Sequence, residues 1–128
     1  MNTSLLVISA GSLLCLWWAV TAASLAWASR PGEGSGRLVD RWDGLSRTAA
    51  LGHTVPVCSV AVTWAAVPAV LWYLLTVLTA VAVAAAVLRL PELPARGGDA
   101  GARARRIAAL GNTAVAAVII GALLLLLP

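Results

Sequence analysis

The chain holds a single histidine, His53, inside a Gly-His-Thr triplet at 52–54, and a near copy of that triplet, Gly-Asn-Thr, stands at 111–113. Histidine is the one side chain whose ordinary titration lies near neutral pH. His53 and Thr54 on one segment, with Asn112 and Thr113 on an equivalent one, make a polar group suited to holding a ligand or lining a path. These four are the candidate ligand- or path-lining residues. Gly52 and Gly111 are candidate helix-packing positions, because a missing side chain lets membrane helices approach closely. Cys15 and Cys58 are the other groups with redox potential, and they form a pair only if their helices bring them face to face. Buried cysteine more commonly acts as a small hydrophobe. No catalytic residue and no metal-ligand set is assigned. The chain has no phosphate loop, no zinc-ligand spacing and no nucleophile with a base beside it. One histidine excludes a haem held by two histidines of the same chain, and which cofactor the chain takes, if any, stays unknown.

Two short stretches resemble known motifs. Asp40-Arg41-Trp42-Asp43-Gly44 resembles the opening of the CDP-alcohol phosphotransferase motif, but the later glycine and two aspartates of that motif are missing. Residues 36–41 resemble a loop of the major facilitator transporters, a fold that needs more spans than this chain can supply. Nothing is carried over from either.

These residues have to be positioned by something, and composition says what. The chain of 128 residues is 61% hydrophobic and 11% charged, against about 25% charged in a soluble domain. All nine basic residues are arginine, and lysine, phenylalanine and glutamine are absent. That bias suggests GC-rich bacterial coding. The charges gather in two stretches, 30–47 and 89–106, between apolar runs. The net charge of +4 therefore reads as a topology signal and not as a nucleic-acid interface.

A membrane-spanning helix needs roughly 20 apolar residues. The first and last uncharged runs each supply one. The middle run, 48–88, is either one long tilted helix or two spans. Two spans place all nine arginines on one side, as the positive-inside rule prefers. Pro68 supplies a break, and Trp64, Trp72 and Tyr73 around it suit one membrane–water interface. A turn at Val67–Ala69 follows.

An offset of 59 residues supports the same count. Over Arg30–Thr54 it aligns Arg30 with Arg89, Glu33 with Glu92, Arg37 with Arg96, Asp40 with Asp99 and Arg47 with Arg106. It also aligns Ala49-Ala50-Leu51-Gly52 with Ala108-Ala109-Leu110-Gly111, and Thr54 with Thr113. Apolar bias does not produce matches of Arg, Glu, Asp, Gly and Thr in one register. A repeat is read as a structural unit, here helix–loop–helix, and two in tandem have the parallel orientation. Asp40 and Asp99 are expected to cap the helices that follow them. Arg30 with Glu33, and Arg89 with Glu92, are spaced to pair on a helical turn.

The expected fold is thus all-α: an integral membrane protein with four transmembrane helices arranged as two tandem helix–loop–helix repeats. Spans are expected near 4–29, 46–66, 69–89 and 106–127. Residues 1–128 form one membrane domain, with repeat one at 4–66 and repeat two at 69–127. The first span lacks the basic residues that precede a signal peptide's apolar run and is read as retained. The expected setting is the bacterial cytoplasmic membrane, with loops 30–47 and 89–106 cytoplasmic and both termini outside. Apart from Arg47, Arg89 and Arg106 at their loop ends, no Asp, Glu, Lys or Arg falls within the spans, which disfavours proton-coupled transport and voltage sensing. The leading functional reading is an accessory or scaffold subunit of a larger membrane complex, more plausibly not an enzyme. One alternative is a small homo-oligomeric transporter or channel with its polar cluster at His53 and Asn112. A second is a membrane redox protein or enzyme using His53 or Cys15 and Cys58. Expected partners are the lipid bilayer and, within it, other proteins or further copies of the chain, with no nucleic acid.

Overall fold

A computed structural model describes residues 2–126. Leu127, where the sequence reading ends the last span and the second repeat, lies outside them. Four long helices follow in order: α1 Thr3–Ala28, α2 Arg41–Ala61, α3 Ala69–Arg89 and α4 Ala102–Leu126, with a 3-10 turn at Leu90–Glu92. The described residues contain no strand. α1, α4, and α3 with its 3-10 turn are long and apolar enough to cross a membrane. This is a small helical membrane protein.

The middle run is two helices. α2 opens at Arg41 because the Asp40 carboxylate accepts from the Asp43 N–H at 2.8 Å, the side-chain cap that frees a helix start from unmet donors. It ends at Ala61, five residues before the expected end of that span. The connection runs through 62–68 and is longer than the tight turn at Val67–Ala69. Side chains explain the early stop: Val62 turns extended, and Val62 and Val67 bury themselves against Gly11 of α1. The Trp64 indole N–H reaches back to the Ser59 carbonyl at 3.1 Å. α3 runs over 69–89 as expected and gives way to a 3-10 turn where Pro91 follows Leu90.

α2 touches all three other helices, and α4 and α1 are its largest neighbours. That position explains its composition. Its residues from Ser46 to Ser59 are all buried or half-buried, so it carries Arg, His, Ser and Thr that a lipid-facing helix could not. α1 packs on α3, with the buried Trp18 indole donating to Thr79 Oγ1 at 2.8 Å. The main core joins Cys15, Trp18, Ala22 and Leu25 of α1 to Leu51 and Cys58 of α2 and Leu75, Ala82 and Ala86 of α3. α4 lends nothing to it. It packs chiefly on α2, burying Ala109 and Ala116.

Both charged connections lie at one end and hold each other. Arg41 donates from its backbone to the Pro94 carbonyl at 3.1 Å and from Nε to the Leu93 carbonyl at 3.1 Å. Ala28, Leu38 and Leu93 close a small apolar cluster beneath them.

Candidate functional site

The sequence points to the Gly-His-Thr and Gly-Asn-Thr triplets, so their placement comes first. α2 and α4 run parallel, and three contacts fix their register. Arg105 lies beside Asp40. The Asn112 amide donates to the Ser46 carbonyl at 3.2 Å and to its hydroxyl at 3.0 Å. A side-chain carbon added at Gly52 would stand 3.4 Å from Ala116 Cβ. Residue n of α2 thus sits level with roughly n + 65, not with the residue at n + 59 that the sequence alignment pairs with it. Six residues of helix are about 9 Å of rise. The two triplets therefore lie at different depths, and Asn112 meets Ser46 where a symmetric pairing would have given it His53's level.

Each candidate has a definite position. Thr54 is 1% exposed, and its hydroxyl donates to the Ala50 carbonyl at 2.7 Å. Thr113 is exposed on the outer side of α4. Gly52 is a close-approach point between α2 and α4, whereas Gly111 has open space where a side chain would go. The same axial offset accounts for that difference: residues paired by the 59-residue alignment meet different neighbours. His53 is half-buried, and its Nδ1 is buried without a hydrogen-bond partner among the described residues. Cys15 and Cys58 are both free and buried in the main core, and the Cys58 thiol donates to the Leu14 carbonyl at 3.4 Å. No group of three or more His, Cys, Asp or Glu among the described residues could hold a metal ion.

An opening of about 450 Å³ lies between α2, α3 and α4. Leu51, Val55, Pro56, Val83 and Ile120 line it, with Thr48 and Thr79. Those two hydroxyls donate to the Gly44 and Leu75 carbonyls at 2.8 and 2.7 Å. The groove is apolar and offers an ion nothing in exchange for its hydration shell. The Asn112 contact is a modest adhesive. Asn112→Ala is expected to lower stability by about 0.6 kcal/mol, the usual worth of such bonds between membrane helices, measured by unfolding in mixed micelles.

The strongest polar assembly is at the loop end. Asp40 is fully buried. Its Oδ2 accepts from Arg105 Nε and Nη2 at 2.9 and 2.8 Å and from the Gly97 N–H at 3.0 Å, while Oδ1 caps α2. Arg105 also binds Asp99, at 2.9 Å through Nη1. Burial pushes the Asp40 carboxyl up, but Arg105 and the Asp43 and Gly97 N–H groups outweigh it and hold it below its ordinary range. Asp99 is held at about 2, chiefly by the Arg105 hydrogen bond. Asp99 therefore spends its carboxylate on Arg105. Its cap contribution is the backbone carbonyl, which accepts from the Ala102 N–H at 3.1 Å. Arg89 pairs with Glu92, while Arg30 lies over the Trp27 ring. The Arg105 contact had no signal in the repeat, since the residue 59 positions earlier is Ser46. No protein-family model matches this chain, and neither does any curated protein or any solved structure.

Proposed function

We propose that the chain is an accessory or scaffold subunit of a larger bacterial cytoplasmic-membrane complex, joined to it through α4. One observation carries this reading. α4 is held on a single side, and Ile107, Gly111, Ala114, Val118, Ala122 and Leu125 form an exposed stripe along another. Gly111 is unpacked there. Small residues on a lipid-facing stripe let a second helix approach closely enough for dispersion contacts to drive association. The polar groups inside the helices support the same reading, because Thr54 and Asn112 are spent on contacts within the chain.

In this reading α2 is the fourth span. Its 21 residues rise about 31 Å, which matches a hydrocarbon core of about 30 Å, and its neighbours shield its polar side chains. The two helix–loop–helix halves then form tandem repeats with both arginine-rich loops cytoplasmic and both termini outside. A homo-oligomeric transporter is the second reading, favoured by the unpartnered His53 Nδ1.

Native mass spectrometry of the gently solubilised assembly separates them. The expected result is a stoichiometric complex with a different integral membrane protein. Gly111→Leu, whose first side-chain carbon enters open space, should abolish that complex and leave the melting temperature of the isolated chain unchanged. A pure homo-oligomer would overturn the accessory reading.

A further inference from the structure

In the second charged stretch, 89–106, three arginines remain once the Arg89–Glu92 and Asp40–Arg105–Asp99 contacts are made. Arg96, Arg103 and Arg106 line an open pocket of about 200 Å³ with Trp42, Gly97 and Ala102. None of the three makes an ion pair among the described residues. The Arg106 guanidinium lies 5.5 Å from the Trp42 ring centre. Arg105 offsets one of the two charges of Asp40 and Asp99, so the group beside the pocket carries a single negative charge against the three arginines. The first half of the chain builds nothing like it. Arg37 and Arg47, the residues 59 positions before Arg96 and Arg106, are tied to the Trp27 carbonyl at 3.0 Å and to the Asp43 carboxylate at 2.9 Å.

Like charges gathered this closely repel, and an anion between them removes that cost. Guanidinium groups offer paired donors that match phosphoryl oxygens. The pocket's position selects the source of the phosphoryl group. Ile107 follows Arg106 directly and opens the apolar run of α4, and Ile107 and Leu110 are exposed just below the pocket. Trp42 stands where an amphipathic ring favours the headgroup layer. Basic pockets at the ends of membrane helices are suited to lipid phosphates. We infer that Arg96, Arg103, Arg106 and Trp42 bind the phosphate of an anionic phospholipid, whose acyl chains lie against the apolar surface of α4.

The test uses the full chain in phosphatidylcholine nanodiscs with graded phosphatidylglycerol, reading melting temperature and the lipid retained in native mass spectra. Phosphatidylglycerol should be retained in preference to phosphatidylcholine. Arg103→Gln and Arg106→Gln should each weaken that retention about five-fold, the loss of one specific guanidinium–phosphate hydrogen bond. Arg30→Gln, which removes the same charge outside the pocket, should leave it unchanged. Melting in pure phosphatidylcholine confirms that each variant folds. A loss with Arg30→Gln as large as with Arg103→Gln would mean diffuse surface attraction and overturn the pocket. A melting shift with inorganic pyrophosphate alone, lost in the same two variants, would overturn the lipid as source and make this a site for soluble phosphate compounds.

Discussion

Asp40→Ala is expected to lower the stability of the folded chain by about 3 kcal/mol, the low end for breaking a buried ion pair that also caps a helix. The mutation removes four hydrogen bonds at one carboxylate. It uncaps α2, releases the Gly97 backbone and frees Arg105 from the end of α2. Arg105 keeps Asp99, which is why the loss stays at the low end. Unfolding in mixed detergent micelles measures it. Asp99→Ala, which breaks an exposed contact, should cost far less. Acid gives a second readout. Both carboxylates ionise more readily in the folded chain than in the unfolded one. Their contribution is complete above an unfolded value of about 4. For Asp99 it drains away as pH falls toward its folded value of about 2, and for Asp40 over the range below 4. The wild-type melting temperature should fall across that interval, and Asp40→Ala should flatten the fall. An Asp40→Ala protein as stable as wild type would remove the clamp from any account of the fold.

Trp18→Ala should cost as much, about 3 kcal/mol or more, the range for emptying an aromatic site in a packed interior. Lipid tails are as apolar as the helix interior, so burial from water does little to hold membrane helices together. Close packing and a few hydrogen bonds must do it, and Trp18 supplies both. It is fully buried at the centre of the α1–α3 contact and donates to Thr79 Oγ1. The Thr79 hydroxyl is already committed to the Leu75 carbonyl as donor, so it has only acceptor capacity to offer, which an indole N–H fills. Trp18→Phe loses the bond, worth about 0.6 kcal/mol, together with part of the ring, so its cost should fall between that figure and the cost of Trp18→Ala. Equal melting of Trp18→Ala and Trp17→Ala would overturn the assignment, since Trp17 is 43% exposed.

The helices were legible because charge and apolar length determine them. The absence of charge from Thr48 to Leu88, broken by Pro68, located two helices and the connection between them. The early end of α2 was not legible. It depends on Val62 and Val67 finding Gly11, a contact between segments about 50 residues apart. Asp40 was legible as a cap, since a cap is local. Its binding of Arg105, 65 residues away, was not. The repeat suggested that His53 and Asn112 would belong to one polar cluster on equivalent helices, and the register between α2 and α4 sets them at different depths. Identity at an offset of 59 describes two segments, not how far one slides along the other. That distance is set by contacts such as Arg105 with Asp40, which the repeat does not contain.

The attachment of α4 makes it a lever. Its charged end is pinned at Arg105, its middle rests on Ser46 and Gly52, and Leu124, Leu125 and Leu126 at its far end are exposed. From Arg105 to Leu126 the arm is about 31 Å long, and a tilt of about 10° at the pin carries its tip about 5 Å. The groove bounded by Ile120 lies along that arm, so a small rotation at the pinned end would change its width, against the resistance of the long α2–α4 contact. A partner gripping the outer stripe of α4 and a lipid headgroup held beside the pin would pull on the same arm from different points.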